Sequence, residues 1–294
     1  MAEKGDAMPT LHIALYGKGG AGTTTIAANL SVALAEAGQK VIQIGFDPGN
    51  DSTGVLRANW KVKTLLDAVR EGGETAFDDV IVTGYKGILC LETGLPSTDA
   101  VCTGHDSRAV IDYIRSRDFL KKHDPDVVIY DLSGEALCSV TAMSLINDIA
   151  DKFFIVSSAD FRSLFAANNL FRSISKNAPS SVSLGGIIAN GLTGSFLESV
   201  MTDFARKTGT RVMGSIPRSL AVMQCSLYNQ SVIEASPRAG VAFNFRSLAR
   251  HIMNSESPSI PKPMPREKLL EWAREWGDII LELETGTVGR GGGL

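Results

Sequence analysis

LHIALYGKGGAGTTT, residues 11–25, decides the fold. The apolar run LHIALY passes at Gly17 into Lys18, Gly19, Gly20, Ala21 and Gly22, and then into Thr23, Thr24 and Thr25. The stretch TTIAANLSVALAEAG (24–38) carries apolar and small residues at helical spacing and stops at Gly38. A strand, a glycine loop and a helix start in that order make an anion site. Glycines let the backbone fold round a phosphate, and the helix end presents free N–H groups and a positive dipole to it. Two nucleotide classes fit the string. As GxGxxG, with Asp47 closing the second strand, it is a dinucleotide-binding unit. As GxxxxG[K][ST], it is a triphosphate loop with Thr23 at the lysine position. Three features favour the triphosphate. Lys18 adds a cation inside the loop, the Thr24 and Thr25 hydroxyls suit Mg²⁺ and phosphate, and the strand ending Asp131-Leu132-Ser133-Gly134 offers a magnesium-side carboxylate and a switch glycine.

Outward from the loop, β-rich apolar runs alternate with helix-period stretches. Strands are expected over 40–47, 87–94, 124–131, 151–159, 183–190 and 210–218, and helices over 63–73, 163–178, 197–209 and 266–284. The runs at 124–131 and 151–159 are near-continuously apolar, as in a parallel strand buried on both faces. The fold class is therefore α/β, a mostly parallel sheet with helices on both faces. Its ligands collect at the carboxyl ends of the strands. A single domain is expected over 11–285, after an N-terminal extension (1–10) and before a flexible glycine-rich tail (286–294).

The 294 residues are 44% hydrophobic with a net charge of −3, which supports a full core and provides no basic field for nucleic acid or an anionic membrane. No apolar run reaches the length of a membrane helix and the first ten residues lack a signal-peptide core, so the expectation is a cytoplasmic chain. In that compartment Cys90, Cys102, Cys138 and Cys225 are not expected to pair as disulfides, and none forms a CxxC.

The loop from Tyr16 to Thr25 resembles the deviant P-loop of the Mrp/MinD-type ATPases, in which a signature lysine, here Lys18, reaches across a dimer to the partner's nucleotide. VIQIGFDPGNDST (41–53) narrows the resemblance to the nitrogenase iron protein family, which includes the reductase components of dark protochlorophyllide and chlorophyllide reductases. CLETG (90–94), CTG (102–104), YDLSGEALC (130–138), AANN (166–169), GGIIAN (185–190) and IPR (216–218) follow in order. The resemblance implies a homodimer holding one [4Fe–4S] cluster between two copies of Cys102 and Cys138. A twofold axis makes four thiolates of two, as a Cys₄ site requires. It further implies Mg-ATP or Mg-ADP on residues Gly17 to Thr25, with Thr24 on magnesium. Asp47 and Asp51 match switch I carboxylates, one orienting water and the other assisting magnesium. Asn190, Pro217 and Arg218 match positions near the adenine. The implied partners are a nitrogenase-like catalytic component as electron acceptor and a ferredoxin- or flavodoxin-type donor.

The departures fall in functional places. Thr23 replaces the loop lysine, Gly49 the lysine after Asp-Pro, and Phe46 the cysteine before it. His105 replaces an arginine, and Ser139-Val140-Thr141 replaces Gly-Gly-Phe. Loss of the loop cation weakens charge compensation on the β- and γ-phosphates. Two rivals to an electron-transfer protein stay open: a regulatory or cluster-carrier protein that senses nucleotide with little turnover, and a dinucleotide-dependent oxidoreductase.

Overall fold

The computed structural model describes residues 9–57, 61–72, 79–95, 105–134, 139–176, 183–255 and 260–286. Eight strands form one sheet: β1 (Leu11–Gly17), β2 (Val41–Gly45), β3 (Val82–Thr83), β4 (Leu89–Glu92), β5 (Val127–Ser133), β6 (Lys152–Ser157), β7 (Ser183–Leu192) and β8 (Val212–Pro217). Their order is β3-β4-β2-β5-β1-β6-β7-β8, and every pairing is parallel except β3 with β4. The expected strands are all present, with ends moved by a few residues. The antiparallel β3 is an addition that its two residues could not announce.

Both faces of the sheet are buried, which explains the continuous apolar runs. Along β5, Val127 and Ile129 turn to one face while Val128 and Tyr130 turn to the other. The first face packs on α1 (Thr23–Glu36) and on a helix over Gly240–Met253, through Ile26, Leu30, Phe245 and Leu248. The second packs on helices over Leu65–Glu71, His105–Ser116, Ser139–Ile149, Phe161–Lys176, Ser195–Lys207 and Arg266–Thr285. The chain's closing helix is fastened twice. Asn168 bonds both the N–H and the C=O of Met264 just before it, and the indoles of Trp272 and Trp276 both donate to Asp203. The two tryptophans are thus packing residues of this chain.

The register places the site. Glu92 of β4, Gly45 of β2, Asp131 of β5 and Leu15 of β1 lie side by side in one row across the sheet. Two acids therefore stand on strands flanking a glycine, at the carboxyl edge of the sheet. The expected extension and tail lie outside the described residues apart from Pro9, Thr10 and Gly286. Among the described residues no helix is long and apolar enough to cross a membrane.

Candidate functional site

β1 ends at Gly17, and the turn Lys18–Gly22 delivers the chain into α1. Gly22 has φ +86°, and a Cβ there would collide with the Asn190 amide nitrogen. That amide, at the end of β7, donates to the carbonyl of Ala21 at 2.8 Å. Asn190 therefore braces the loop from beneath. Gly22 is also the helix cap and supplies no side-chain bond to the first turn, so the N–H groups of the turn stay available to an anion. Residues of the turn from Gly17 to Thr24, together with Asp47, line a cleft of about 210 Å³, from which Ala21 is absent. Thr23 is buried, and its hydroxyl lies against Gly17, where a Cβ would collide with it.

Thr24 points to the other side of the loop. Its hydroxyl donates to Oδ2 of Asp131 at 2.7 Å, and the hydroxyl of Ser52 donates to the same oxygen at 2.6 Å. Asp131 is fully buried, and its Oδ1 has no hydrogen-bond partner among the described residues. Burial pushes its pKa up from 3.8 to about 7. The bonds from Ser52 and Thr24 work against that rise, and the charges of Glu92 and Asp47 reinforce it. Gly134, three residues on, donates its N–H to the carbonyl of Gly17 and so touches the start of the glycine loop.

Asp47 and Asp51 sit on the loop after β2. Asp47 accepts from the N–H of Gly49 at 2.7 Å and faces the phosphate cleft. Asp51, with Thr24 and Thr25, borders a neighbouring cavity of about 300 Å³. Lys18 borders the phosphate cleft and a second cavity of about 240 Å³, which Gly134 and Asn169 also line. Pro217 and Arg218 are exposed at the end of β8. Neither lines the phosphate cleft, although the N–H of Arg218 ties β8 to Leu192 of β7.

Sequence reading missed a second buried carboxylate. Glu92 accepts from the N–H and the hydroxyl of Thr53, at 2.8 and 2.6 Å, and from the Arg57 guanidinium at 3.4 Å. Burial pushes its pKa up, while Thr53 and Arg57 pull it down. The available signal was a glutamate closing an apolar strand, where a charge is stable only with partners.

Cys102 and Cys138, the candidate cluster ligands, lie outside the described residues, as does the side chain of His105. Cys90 and Cys225 are buried, and burial pushes the Cys90 thiol up to about 12. Both behave as small apolar groups. Among the described residues no three His, Cys, Asp or Glu side chains are placed to hold a metal ion together. For a magnesium nucleotide the donor set does fit: an uncapped glycine turn, two threonine hydroxyls and a buried carboxylate with one oxygen unpartnered.

The family model described as 4Fe-4S iron sulfur cluster binding proteins, NifH/frxC family, matches residues 11–278. Nitrogenase iron protein 2 of Paenibacillus durus is 39% identical over 278 residues, covering 94% of this chain and 95% of the relative. The nitrogenase iron protein of Methanospirillum hungatei is 39% identical over 270 residues, covering 90% and 95%. Among solved structures, the septum site-determining protein MinD of Pyrococcus horikoshii, complexed with Mg-ADP, superposes with a TM-score of 0.65. It is 20% identical and covers 84% of this chain and 97% of its own. The architecture is thus the Mrp/MinD-type P-loop α/β fold.

The buried acid makes a stability prediction. Folded Asp131 keeps its proton up to about pH 7, whereas the unfolded residue releases it near 3.8. Across that window the folded state binds more protons, so this group's contribution to stability falls as pH rises and is level above it. Asp131→Asn, neutral at every pH, is expected to gain on the wild type by about a few kcal/mol from acid to neutral pH in denaturant titrations. The comparison cancels His12, whose pKa is lowered by burial to about 4 and whose effect has the opposite sign. A constant difference between the two proteins across the window would show that Asp131 titrates normally.

Proposed function

Because the chain belongs to the NifH/frxC family of 4Fe-4S iron–sulfur cluster binding proteins, we propose that it is a nucleotide-responsive electron-transfer protein. It acts as a homodimer and passes single low-potential electrons to a nitrogenase-like catalytic partner, after reduction by a ferredoxin- or flavodoxin-type donor. The observation that carries the reading is Oδ2 of Asp131. One oxygen holds Thr24 of the phosphate loop and Ser52 of the loop after β2, seven residues before Cys138.

The residues divide the work as follows. The turn from Gly17 to Thr25 would bind the phosphates through its backbone N–H groups, and the Thr24 hydroxyl and Asp131 would hold the magnesium of the nucleotide. Asp47, facing the phosphate cleft, orients the attacking water, and Asp51 assists the metal. Lys18 supplies the cation that Thr23 does not, across the dimer. Asn190 fixes the loop, with Pro217 and Arg218 nearest the base. Cys102 and Cys138 are the residues that would hold the cluster, which supplies one-electron transfer when bound. The Mg-ADP complex of the MinD relative supports the nucleotide, and the family supports the cluster.

Replacement of the cluster ligands gives the first test. Anaerobically purified protein is expected to show the broad visible absorption of a thiolate-bound cluster, bleaching on reduction. Cys102→Ala or Cys138→Ala abolishes it and weakens the dimer, and Cys225→Ala does neither. A wild type that stays colourless after anaerobic reconstitution refutes the electron-transfer role.

A sensing role with little turnover is the second reading, and buried Thr23 favours it. One preorganised electrostatic donor contributes roughly 2.7–4 kcal/mol to a transition state, so hydrolysis is expected to be about a hundredfold or more slower than with a loop lysine. Steady-state ATPase assays should find slow turnover that Lys18→Ala removes and Thr23→Lys raises. Fast hydrolysis surviving Lys18→Ala assigns the catalytic charge to the wrong residue.

A further inference from the structure

The loop after β2 is stapled from one side by a buried arginine. Arg57, 3% exposed, stands just past a short 3-10 turn over Gly54–Leu56. Its Nε donates to the Thr53 hydroxyl at 2.8 Å and its Nη2 to the carbonyl of Asn50 at 2.8 Å. The guanidinium thus spans Asn50 to Thr53, the segment that contains Asp51. Glu92 holds the staple in place: its Oε1 receives both polar groups of Thr53 and lies 3.4 Å from Arg57. The row geometry makes room for this. Gly45 separates Glu92 from Asp131, and a Cβ on it would strike both Oε2 of Glu92 and Cβ of Ser52.

Consecutive hydroxyls therefore part to two strands, Ser52 to Asp131 on β5 and Thr53 to Glu92 on β4. Ser52 has further support, since Gln43 of β2 donates to its carbonyl at 3.0 Å. The flank of Asp51 nearer the phosphate loop is thereby tied to the proposed magnesium site. Its other flank, Asn50, is held by Arg57, which Glu92 holds in turn, and neither of these residues lines the cavity beside Thr24. Asn50 itself is in the left-handed region at φ +55°, which asparagine adopts more readily than most non-glycine residues.

We propose that Arg57 and Glu92 are positioning residues which present Asp51 to the cavity beside Thr24, so that they set how far magnesium strengthens nucleotide binding without contacting nucleotide or metal. This rests on the nucleotide site proposed above. A positioning role is specific to the metal-dependent part of binding, because the backbone groups that hold the phosphates belong to a different loop.

The test uses the full-length protein, with labelled ADP titrated in magnesium and in excess chelator, and amide exchange followed at Thr53. Arg57→Lys keeps the charge opposite Glu92 but loses the planar fork that reaches two acceptors at once. Thr53→Val removes the shared hydroxyl at nearly constant volume. Each is expected to speed exchange of the Thr53 amide and to weaken Mg-ADP binding about tenfold, with ADP binding in chelator unchanged. The double variant should be no worse than either single one, and Thr53→Ser, which restores the hydroxyl, should behave as wild type. Equal weakening with and without magnesium, or unaltered exchange at Thr53, overturns the proposal. A wild type that binds ADP in neither condition instead refutes the nucleotide site itself, a result distinguishable from loss of the magnesium increment alone.

Discussion

Everything at the carboxyl edge of the sheet depends on one buried carboxylate oxygen, Oδ2 of Asp131, shared by Thr24 and Ser52. Removing a carboxylate from water is costly unless hydrogen bonds or charges replace the lost solvation. Two hydroxyl donors replace part of it, and burial still drives the acid up to about 7. With Oδ1 unpartnered among the described residues, the side chain retains capacity for one more strong donor or a metal-bound water. An arrangement of this kind responds to whatever enters the phosphate cleft, because Thr24 cannot turn to a metal without altering the oxygen that also holds Ser52.

The sheet explains why these groups meet. Parallel strands place residues of equal register on the same face, so Glu92, Asp131 and the side-chain-free Gly45 between them lie in one row. Ser52 and Thr53 then reach one acid each. The loop between β2 and the 3-10 turn is consequently held by groups from both neighbouring strands, and its two aspartates face different cavities around Thr24. Thr23, folded against Gly17, leaves the phosphate cleft without the cation that a lysine there would bring.

Much of this was legible in the sequence, for a physical reason. A glycine run between an apolar strand and a helix start admits few conformations, and strands buried on both faces must be apolar throughout, as LHIALY and DPDVVIYD are. The cleft and the placement of Asp47, Asp51 and Lys18 beside the loop follow from those signals, while the full burial of Asp131 was not expected. The Arg57–Glu92 pair was not legible, because an arginine and a glutamate separated by 35 positions carry no local sign that they will be buried together. Asn190, expected near the base, also braces the loop at Ala21, a side-chain–backbone contact that only the sheet order creates. No helix was expected over 105–116, 139–149, 220–227 or 240–253, and the last of these supplies Phe245 and Leu248 to the core.

The central claim is that Asp131 couples the phosphate loop to the chain leading to Cys138. The most direct measurement is the rate at which a chelator extracts iron from the anaerobically loaded protein, with and without Mg-nucleotide, in wild type and in Asp131→Asn. The account predicts that Mg-nucleotide changes the extraction rate in the wild type, while Asp131→Asn keeps its iron and loses the response. A nucleotide response that persists undiminished in Asp131→Asn would contradict it.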